Sequence, residues 1–276
     1  MGFITRIKTL RTYARQGDTV YVLGLRGFPD VQGGVETHAE NLYPLVAKSN
    51  MRVICATRSE FHNPAITEWQ GVRFLPIWAP RSRFLEAFVH SLLAVLCAGV
   101  IRPSVVHIHA IGPALVTPLV RLFGLPVVVT HHGPDYDREK WNKMAKTVLR
   151  IGEWAGMKFA TERIVISPVI EEWVERRHQR SSNLIPNGVP VPSLDSTQEI
   201  LASYGLEKEN YVLLVSRIVP EKRHFDLMES FEQLTPGKYK LVLVGGADHP
   251  DDYELAVQER ARANPDIIMT GVLQGR

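Results

Sequence analysis

Short apolar runs alternate with longer amphipathic stretches along most of this chain. Runs of strand length lie at residues 20–25, 52–56, 72–77, 105–109, 126–131, 163–166, 211–215, 240–244 and 266–270. Apolar residues at helical spacing occupy residues 35–48, 84–101, 113–123, 140–160, 169–177, 222–234 and 253–263. This alternation is typical of repeated βαβ units around parallel sheets, so the sequence predicts an α/β fold.

The alternation is interrupted at residues 186–192, where three prolines and one glycine in seven residues exclude regular structure. We therefore expect a Rossmann-like domain at 20–185, a linker at 186–196 and a second Rossmann-like domain at 197–276. Two such parallel-sheet domains would face each other across a cleft, and ligands would bind there at the carboxyl ends of the strands. The pattern stops after its third strand in the second domain, which predicts that this domain is incomplete.

Two apolar segments raise the question of a membrane. Residues 1–19 carry four basic side chains and lack the uninterrupted apolar core of a signal peptide. They predict a basic amphipathic arm that either touches an anionic membrane surface or is frayed and solvated. The stretch 84–101 contains Glu86 and His90, so we interpret it as a buried or surface-docked helix and not as a membrane span.

Composition narrows the class of protein further. Of the 276 residues, 45% are hydrophobic and 22% are charged, which excludes a disordered or fibrous chain. A formal net charge of +3 argues against a nucleic-acid partner. Cys55 and Cys97 lie in apolar stretches without paired spacing, which indicates a reducing compartment and predicts a cytoplasmic protein.

The first chemical candidate is the loop after the first predicted strand, which ends in Gly33 and Gly34. Adjacent glycines let a backbone approach a ligand closely, and the following helix directs free N–H groups at oxygen-rich groups. The glycines are too widely spaced for a G-x-G-x-x-G motif, and Arg58 stands where a nicotinamide-binding protein would have an acidic residue. A plain turn is the alternative interpretation.

The second candidate is a set of histidines at the ends of neighbouring predicted strands. His107 and His109 close one strand, and His131 and His132 close the next. If these strands are adjacent, the imidazoles converge at the edge of the sheet where ligands bind, and can bond a sugar hydroxyl or move a proton. A metal site is the rival interpretation, and simple packing is favoured for His107.

The triplet Asp135-Tyr136-Asp137 follows these histidines. Such a pair of carboxylates can hold a divalent cation against a nucleotide diphosphate. We favour helix capping or loop solvation, because isolated triplets of this kind are common by chance.

The third candidate lies at the start of the second predicted domain. Arg217 and Lys222 flank a turn between a strand and a helix, which brings two cations and the N–H groups of a helix start together. A pyrophosphate is the natural ligand of that arrangement. Gly245 and Gly246, after the next strand, would border the nucleotide.

In this order the motifs resemble the retaining glycosyltransferases of family 4, which have the two-domain GT-B fold. The resemblance is carried by residues 33–37, 106–109, 130–133, 187–189, 216–217, 221–222 and 244–246. Residues 27–29, 33–38 and 140–143 are similar, more narrowly, to a rhamnosyltransferase-like branch of bacterial polysaccharide enzymes.

The resemblance implies a function and a set of site residues. A sugar would move with retention from a nucleotide-diphosphate sugar to a saccharide acceptor in cell-surface polysaccharide biosynthesis, without a cofactor or obligatory metal. The expected acceptor is lipid-linked. The implied catalytic residues are His132, Arg217 and Lys222. The donor diphosphate would contact Gly33, Gly34, Arg217, Lys222 and Gly245. The acceptor or transferred sugar would contact Glu36, His109 and His132.

The chain departs from the family at its end. Family members carry a pair of glutamates, beyond the point where this chain stops, that contact the donor sugar and the ribose. We therefore expect a C-terminally truncated member with an incomplete donor site. The alternatives are a sugar-nucleotide epimerase of the same fold and a non-catalytic fragment that binds only an acceptor or a partner. The expected location is the cytoplasm, with contact at the inner face of the cell membrane.

Overall fold

The computed structural model describes residues 2–82, 85–137, 141–191, 198–234, 236–246 and 252–273. The chain divides into two compact units, Met1–Val191 and Pro192–Arg276. Each unit is built on a parallel sheet, which confirms the predicted α/β class. Residues 192–196 of the predicted linker, residue 197 of the predicted second domain and Lys140 of the narrower family motif lie outside the described residues.

The first unit is built on one large sheet. Its strands are β1 Thr19–Leu23, β2 Arg52–Arg58, β3 Glu68–Trp69, β4 Val72–Ile77, β5 Val105–His109, β6 Val127–His131, β7 Glu162–Val165 and β8 Asn183–Leu184. They are arranged in the order β3-β4-β2-β1-β5-β6-β7-β8, in parallel except for β3. Strand β1 is buried along its whole length, as expected for a central parallel strand covered on both faces.

Helices cover both faces of this sheet. They are α1 Phe3–Ala14, α2 Gly34–Lys48, α3 Glu86–Ile101, α4 Thr117–Leu122, α5 Lys143–Phe159 and α6 Pro168–His178. Successive residues of a strand point to opposite faces, so Tyr21 and Leu23 join one core and Val20 and Val22 join the other. Helix α2 packs on the second of these cores through Ala39 and Tyr43, and the first core holds residues of the other five helices.

The N-terminal segment is part of the first unit and is not a frayed arm. Helix α1 packs against α3, and its Leu10 and Ala14 are buried. These two residues are one helical turn apart and so lie on the same face, which anchors the segment. Phe3 and Ile4 remain exposed at the start of the helix.

The apolar stretch predicted at 84–101 forms the core-packed helix α3. His90 and Ala94 are buried, whereas Leu96 and Val100 are exposed on another side of the helix. Among the described residues, no helix combines the length and the apolar character needed to cross a membrane.

Helix α5 packs through a face that the apolar spacing predicts only in part. That spacing places Val148, Trp154 and Met157 in the core; Met157 is buried, but Val148 and Trp154 are exposed. The buried face instead carries Gly152 and Gly156, and a Cβ at Gly152 would lie 2.2 Å from the Ile111 carbonyl oxygen. Small residues let the helix approach the backbone beneath it, and this close packing outweighs the burial of larger side chains.

The second unit has a smaller sheet. Within its described residues, the strands β9 Tyr211–Val215, β10 Lys240–Val244 and β11 Ile267–Gly271 lie in the parallel order β11-β10-β9. Its helices are α7 Gln198–Ser203, α8 His224–Phe231 and α9 Asp252–Arg262. Helix α8 begins later than the predicted residue 222, because Pro220–Lys222 forms a 3-10 turn and Arg223 has a left-handed φ of 56°.

The strand order of the first unit defines where a ligand can approach. From β1 the chain first proceeds to β2 and β4 on one side, and then crosses to β5 on the other side. The reversal leaves a crevice at the carboxyl ends of β1 and β5, which is the usual ligand site of an open parallel sheet. At this point Gly24 has a φ of 99°, and a Cβ there would lie 2.3 Å from the His109 carbonyl oxygen. Only glycine allows the two strand ends to lie this close.

Candidate active site

A cluster of imidazoles lies at the switch point of the first unit. His107 and His109 point to the same face of β5, and their stacked rings lie 4.3 Å apart between centroids. The His132 ring stacks on His109 at 5.2 Å. His38 of α2 packs edge-on against His109 and His132, at 5.9 Å and 5.8 Å. The predicted convergence of histidines therefore holds for three of the four, and His38 is an addition from a different element.

Tyr43 of α2 ties this cluster together. Its hydroxyl lies 2.9 Å from His107 Nδ1 and 2.5 Å from His109 Nε2. At the ends of the cluster, His107 Nε2 lies 2.7 Å from Thr130 Oγ1, and His109 Nδ1 lies 2.9 Å from His132 Nε2. Simple packing of His107, the interpretation favoured from the sequence, is thus accompanied by two hydrogen bonds.

The imidazoles of this cluster are neutral at neutral pH. Burial lowers the pKa of His132 to about 4 and that of His107 to about 3, and neighbouring imidazoles add to both shifts. Burial likewise lowers the pKa values of His109 and His38. Each ring therefore carries one proton and can donate one hydrogen bond and accept another.

The prediction that His131 joins the cluster is wrong. As the last residue of β6 it points to the opposite face, where its Nε2 lies 3.0 Å from Glu153 Oε1 of α5. His132 lies one residue beyond the strand and turns back toward His109. The alternation of side chains along a strand separates the two neighbours.

Glu153 is a residue that the sequence analysis missed. Its side chain is fully buried, and its Oε1 also accepts hydrogen bonds from Trp173 Nε1 at 2.9 Å and from the Tyr136 hydroxyl at 3.3 Å. The signal that could have identified it is a charged residue inside the run Gly152 to Gly156, whose small residues mark the packed face of α5.

The glycine loop before α2 has an internal role for Glu36. Glu36 is buried, and its Oε1 accepts hydrogen bonds from Arg26 N at 3.1 Å and from Arg26 Nε at 3.3 Å. Gly33 has a φ of 153°, and a Cβ there would lie 2.0 Å from Glu36 Oε2. A Cβ on Gly34 would meet nothing within 4 Å, so of the two glycines only Gly33 is sterically required by this loop.

In the second unit, the ends of β9 and β10 are held together by backbone contacts. Ser216 N donates to Val244 O at 3.0 Å, and Ile218 N donates to Gly246 O at 3.2 Å. Gly245 has a φ of 135°, and a Cβ there would lie 1.9 Å from the Ser216 carbonyl oxygen. The two predicted donor-site segments are therefore neighbours at the carboxyl edge of their own sheet.

The predicted diphosphate ligands lie in the turn that follows β9. Arg217 is half-buried and Lys222 is exposed. His224 is buried at the start of α8, where burial and then the charge of Lys222 lower its pKa. The neighbouring Arg223 is bonded to Asp226, so its charge is already neutralised. The exposed Lys222 gives this turn a positive charge that an anion can reach.

The described residues contain no group of three or more histidine, cysteine, aspartate or glutamate side chains arranged to hold a metal ion. Asp135–Asp137 forms a 3-10 turn, and Tyr136 within it is buried against Glu153. The local structure of the triplet is thus a turn packed through its central tyrosine.

The first unit of the chain matches a known protein family. The model of the family described as Glycosyltransferase Family 4 matches residues 32–191, which is more than half of the chain. That range contains the whole imidazole cluster. A search of curated proteins gave no match.

Solved structures of similar fold include three of different description. Sucrose-phosphate synthase from Thermosynechococcus elongatus has a TM-score of 0.74 at 18% identity, with 94% of this chain and 71% of that chain covered. HepE from Anabaena in complex with UDP-glucose has a TM-score of 0.70 at 15% identity, with 93% of this chain and 69% of that chain covered. A Listeria monocytogenes protein described as a UDP-N-acetylglucosamine 2-epimerase has a TM-score of 0.58 at 14% identity, with 94% of this chain and 69% of that chain covered. These likenesses confirm the GT-B class of fold, and at such identities they establish the fold alone.

Proposed function

The chain belongs to glycosyltransferase family 4, and on that premise we propose that it transfers a sugar from a nucleotide-diphosphate sugar to a saccharide acceptor with retention. The family is one of transferases, which favours this function over that of an epimerase of the same fold. The main support for this proposal is that the family match includes every residue of the imidazole cluster. HepE, which shares the fold, was solved with UDP-glucose, so a uridine nucleotide is the first donor to test.

The second unit would stabilise the leaving diphosphate. When the bond between sugar and diphosphate breaks, negative charge grows on the departing oxygens. Arg217 and Lys222 would bind that charge more strongly in the transition state than in the ground state, which is the requirement for catalysis. The close approach of Gly245 to Ser216 fixes the turn that presents both cations.

The first unit would contact the transferred sugar and the acceptor. His132 is half-buried at the edge of the cluster, and its neutral ring can hydrogen-bond a sugar hydroxyl. We assign no protein nucleophile, and we propose that neither a cofactor nor a metal is needed. The acceptor would lie beside Gly33 and Gly34.

A lipid-linked acceptor would suit the surface formed by α1 and α3. An apolar groove there is lined by residues that include Phe3, Trp78, Leu96 and Val100. Ile4 is 72% exposed and Trp78 is 63% exposed. Helix α1 also carries the exposed basic residues Lys8 and Arg11. Apolar side chains beside cations are what an anionic membrane surface attracts. We propose peripheral contact at the inner face of the cell membrane.

Titration calorimetry with UDP and with ADP tests the donor site. The double variant Arg217→Ala with Lys222→Ala should lose at least about tenfold in affinity, since charge-assisted hydrogen bonds contribute about 1.5–3 kcal/mol each. Arg223→Ala is the matched control, because this neighbouring cation is already bonded to Asp226. Equal affinity of the double variant and the control would refute the assignment.

Vesicle sedimentation tests the membrane contact. Binding to phosphatidylglycerol-containing vesicles should fall at least about tenfold in Ile4→Asp with Trp78→Asp, because two exposed apolar contacts are lost. Leu122→Asp, at a residue that is 79% exposed on α4, is the control for an apolar side chain outside this surface. Unchanged binding of the double variant would rule out the proposed surface.

We propose a rhamnosyltransferase-like role in polysaccharide biosynthesis on the basis of residues 27–29, 33–38 and 140–143. Phe28 is buried, and its ring stacks on that of Tyr43 with centroids 6.4 Å apart. The motif therefore packs against α2 at the tyrosine that bonds His107 and His109. Sugar transfer from dTDP-rhamnose, UDP-glucose and GDP-mannose should be compared in the presence of a chelator. A clear preference for UDP-glucose or GDP-mannose over dTDP-rhamnose would contradict the narrower role and leave the transferase assignment intact.

A further inference from the structure

One continuous line of hydrogen bonds connects the buried interior of the first unit to His132. It runs from Thr130 through His107, Tyr43 and His109 to His132, with successive heavy-atom distances of 2.7, 2.9, 2.5 and 2.9 Å. We call these five residues the relay. Thr130, Tyr43 and His109 are at most 2% exposed, whereas His132 is half-buried at the open end.

Proton counting shows that the relay has two self-consistent directions. The Tyr43 hydroxyl has one proton, so it donates to one of its two histidine partners and must accept from the other. If it donates to His107, then His109 Nε2 carries a proton and His109 Nδ1 accepts from His132 Nε2. If it donates to His109, then His109 Nδ1 carries the proton and donates to His132 Nε2. The tautomer of His132 thus depends on a hydroxyl that it does not touch.

We propose that the relay holds His132 in one neutral tautomer and orientation, and that Tyr43 and His109 are positioning residues for the transferase site. This inference rests on the proposed function, in which His132 contacts the transferred sugar. A single tautomer matters because a neutral imidazole offers one donor and one acceptor, and a sugar hydroxyl matched to one would be mismatched to the other.

Two further features support a relay over incidental packing. Tyr43 has two imidazole partners although it is buried in an apolar core, where phenylalanine would fill the space without needing any partner. His38 closes the remaining side of the cluster with its ring edge-on, and so restricts the orientation of the His132 ring. The groups that face His132 in the cluster are therefore neutral rings, and none of them is a carboxylate that would favour the charged form.

Long-range proton–nitrogen NMR on the full chain with labelled histidine tests the relay directly, because the ring-nitrogen shifts identify each tautomer. Tyr43→Phe should change the ring-nitrogen signals of His109 and His132. Tyr21→Phe is the matched control. Tyr21 lies on β1, beside β5, and is fully buried in the core on the other face of the sheet from Tyr43. Its hydroxyl has no hydrogen-bond partner within the described residues. His132 signals that are identical in Tyr43→Phe and wild type would overturn the relay.

A second pair of variants tests the far end of the relay if Tyr43→Phe folds poorly. Thr130→Val removes the hydroxyl that bonds His107 and nearly preserves shape, whereas Thr130→Ser retains the hydroxyl. We expect the His109 signals to change in Thr130→Val and to be restored in Thr130→Ser. Equal spectra of the two variants would show that the line of bonds does not act as a unit.

Binding measurements separate the relay from the proposed function. Tyr43→Phe should weaken UDP-glucose binding by about three- to tenfold and leave UDP binding unchanged, because only the sugar would meet His132. A changed His132 tautomer with an unchanged ratio of the two affinities would refute contact between His132 and the sugar. An unchanged tautomer with a changed ratio would refute the relay and keep that contact.

Discussion

His131 and Glu153 form a hydrogen-bonded pair whose side chains are both fully buried, with His131 Nε2 3.0 Å from Glu153 Oε1. The proton on this bond can be placed from the structure. His131 Nδ1 accepts from Gly133 N at 3.1 Å, so a neutral ring carries its proton on Nε2 and donates it to the carboxylate. His131 is therefore bound to its own turn on one side and to α5 on the other, directly before His132.

Glu153 is ionised at this site. Burial alone would raise the pKa of its carboxyl group, but hydrogen bonds from His131 and Trp173, together with the ring of His178 3.7 Å away, outweigh burial and hold that pKa well below its usual range. Arg177 Nε lies 3.9 Å from Oε2 and offers the nearest positive charge among the described ion pairs of this carboxylate. Several donors from three elements thus depend on one buried acceptor.

Replacement of Glu153 should destabilise the first unit. Glu153→Leu leaves the His131 and Trp173 N–H groups without an acceptor and should cost about 3–5 kcal/mol, whereas Glu153→Gln keeps one oxygen and should cost about 1–3 kcal/mol. Urea unfolding monitored by tryptophan fluorescence measures this, because all five tryptophans lie in the first unit. Glu172→Gln, at an exposed surface ion pair, should stay within about 0.5 kcal/mol. Comparable losses in the three variants would contradict the buried role.

Local pattern predicted the strands of this protein well and their side-chain partners poorly. The bounds 72–77, 105–109, 211–215 and 240–244 agree with β4, β5, β9 and β10, because each of these strands is a largely apolar run with polar residues beyond it. The pairing of β5 with β6 was predicted because sequential strands of βαβ units are usually neighbours. That pairing in turn predicted the contact between His109 and His132.

The partners of Tyr43 and Glu153 were out of reach of the same reasoning. Each residue lies inside an amphipathic helix. Nothing in the pattern marks Tyr43, and the small residues around Glu153 indicate burial but not the group to which it bonds. Tyr43 bonds His109 across 66 residues and Glu153 bonds His131 across 22 residues, so their partners are set by helix packing on the sheet. The prediction that His131 joins the cluster was wrong because β6 includes His131 as its last residue, and the alternation of side chains then directs it to the face that α5 covers.

The stability of the first unit should fall as the pH drops from about 6.5 to about 4. Burial lowers the pKa of His90 and of His132 to about 4 and that of His107 to about 3. The unfolded chain takes up protons on these residues near pH 6.5 while the folded chain does not, so each contributes a loss of about 1.4 kcal/mol per pH unit in that range. Glu153, whose pKa is lowered, adds a further loss below about pH 4.5.

Tryptophan-monitored urea unfolding at several pH values provides the test. His90→Leu should reduce the slope between pH 6 and 5 by about one proton, since it removes one of these groups and lies outside the cluster. Wild-type stability that is constant or rises on acidification over this range would contradict the assignment of neutral buried imidazoles.

Gly33→Ala and Gly34→Ala should have opposite effects on stability. A Cβ at Gly33 would lie 2.0 Å from Glu36 Oε2 and 2.8 Å from Arg26 Nη2, at a φ of 153°, so Gly33→Ala should cost about 1–3 kcal/mol. Gly34 is the first residue of α2, and alanine there should be neutral or stabilise by up to about 1 kcal/mol.

The same pair separates steric from ligand roles in this loop. If Gly34 contacts a substrate, Gly34→Ala will lower the affinity for UDP or for the acceptor at unchanged stability, which calorimetry and urea unfolding measure on one sample. Loss of stability in Gly34→Ala equal to that in Gly33→Ala would contradict the loop geometry.

Gly245→Ala should disrupt the proposed donor edge of the second unit. Its Cβ would lie 1.9 Å from the Ser216 carbonyl oxygen, which is backbone and cannot move without separating the ends of β9 and β10. Amide hydrogen exchange of residues 211–218 should accelerate at least about tenfold, and UDP affinity should fall with it. Gly237→Ala is the matched control, since Gly237 also has a positive φ, of 73°, but a Cβ there meets nothing within 4 Å. That control should show only the cost of backbone strain, about 1 kcal/mol, with UDP binding retained. Equal exchange and equal binding in the two variants would mean that the contact between Gly245 and Ser216 does not hold the turn that carries Arg217.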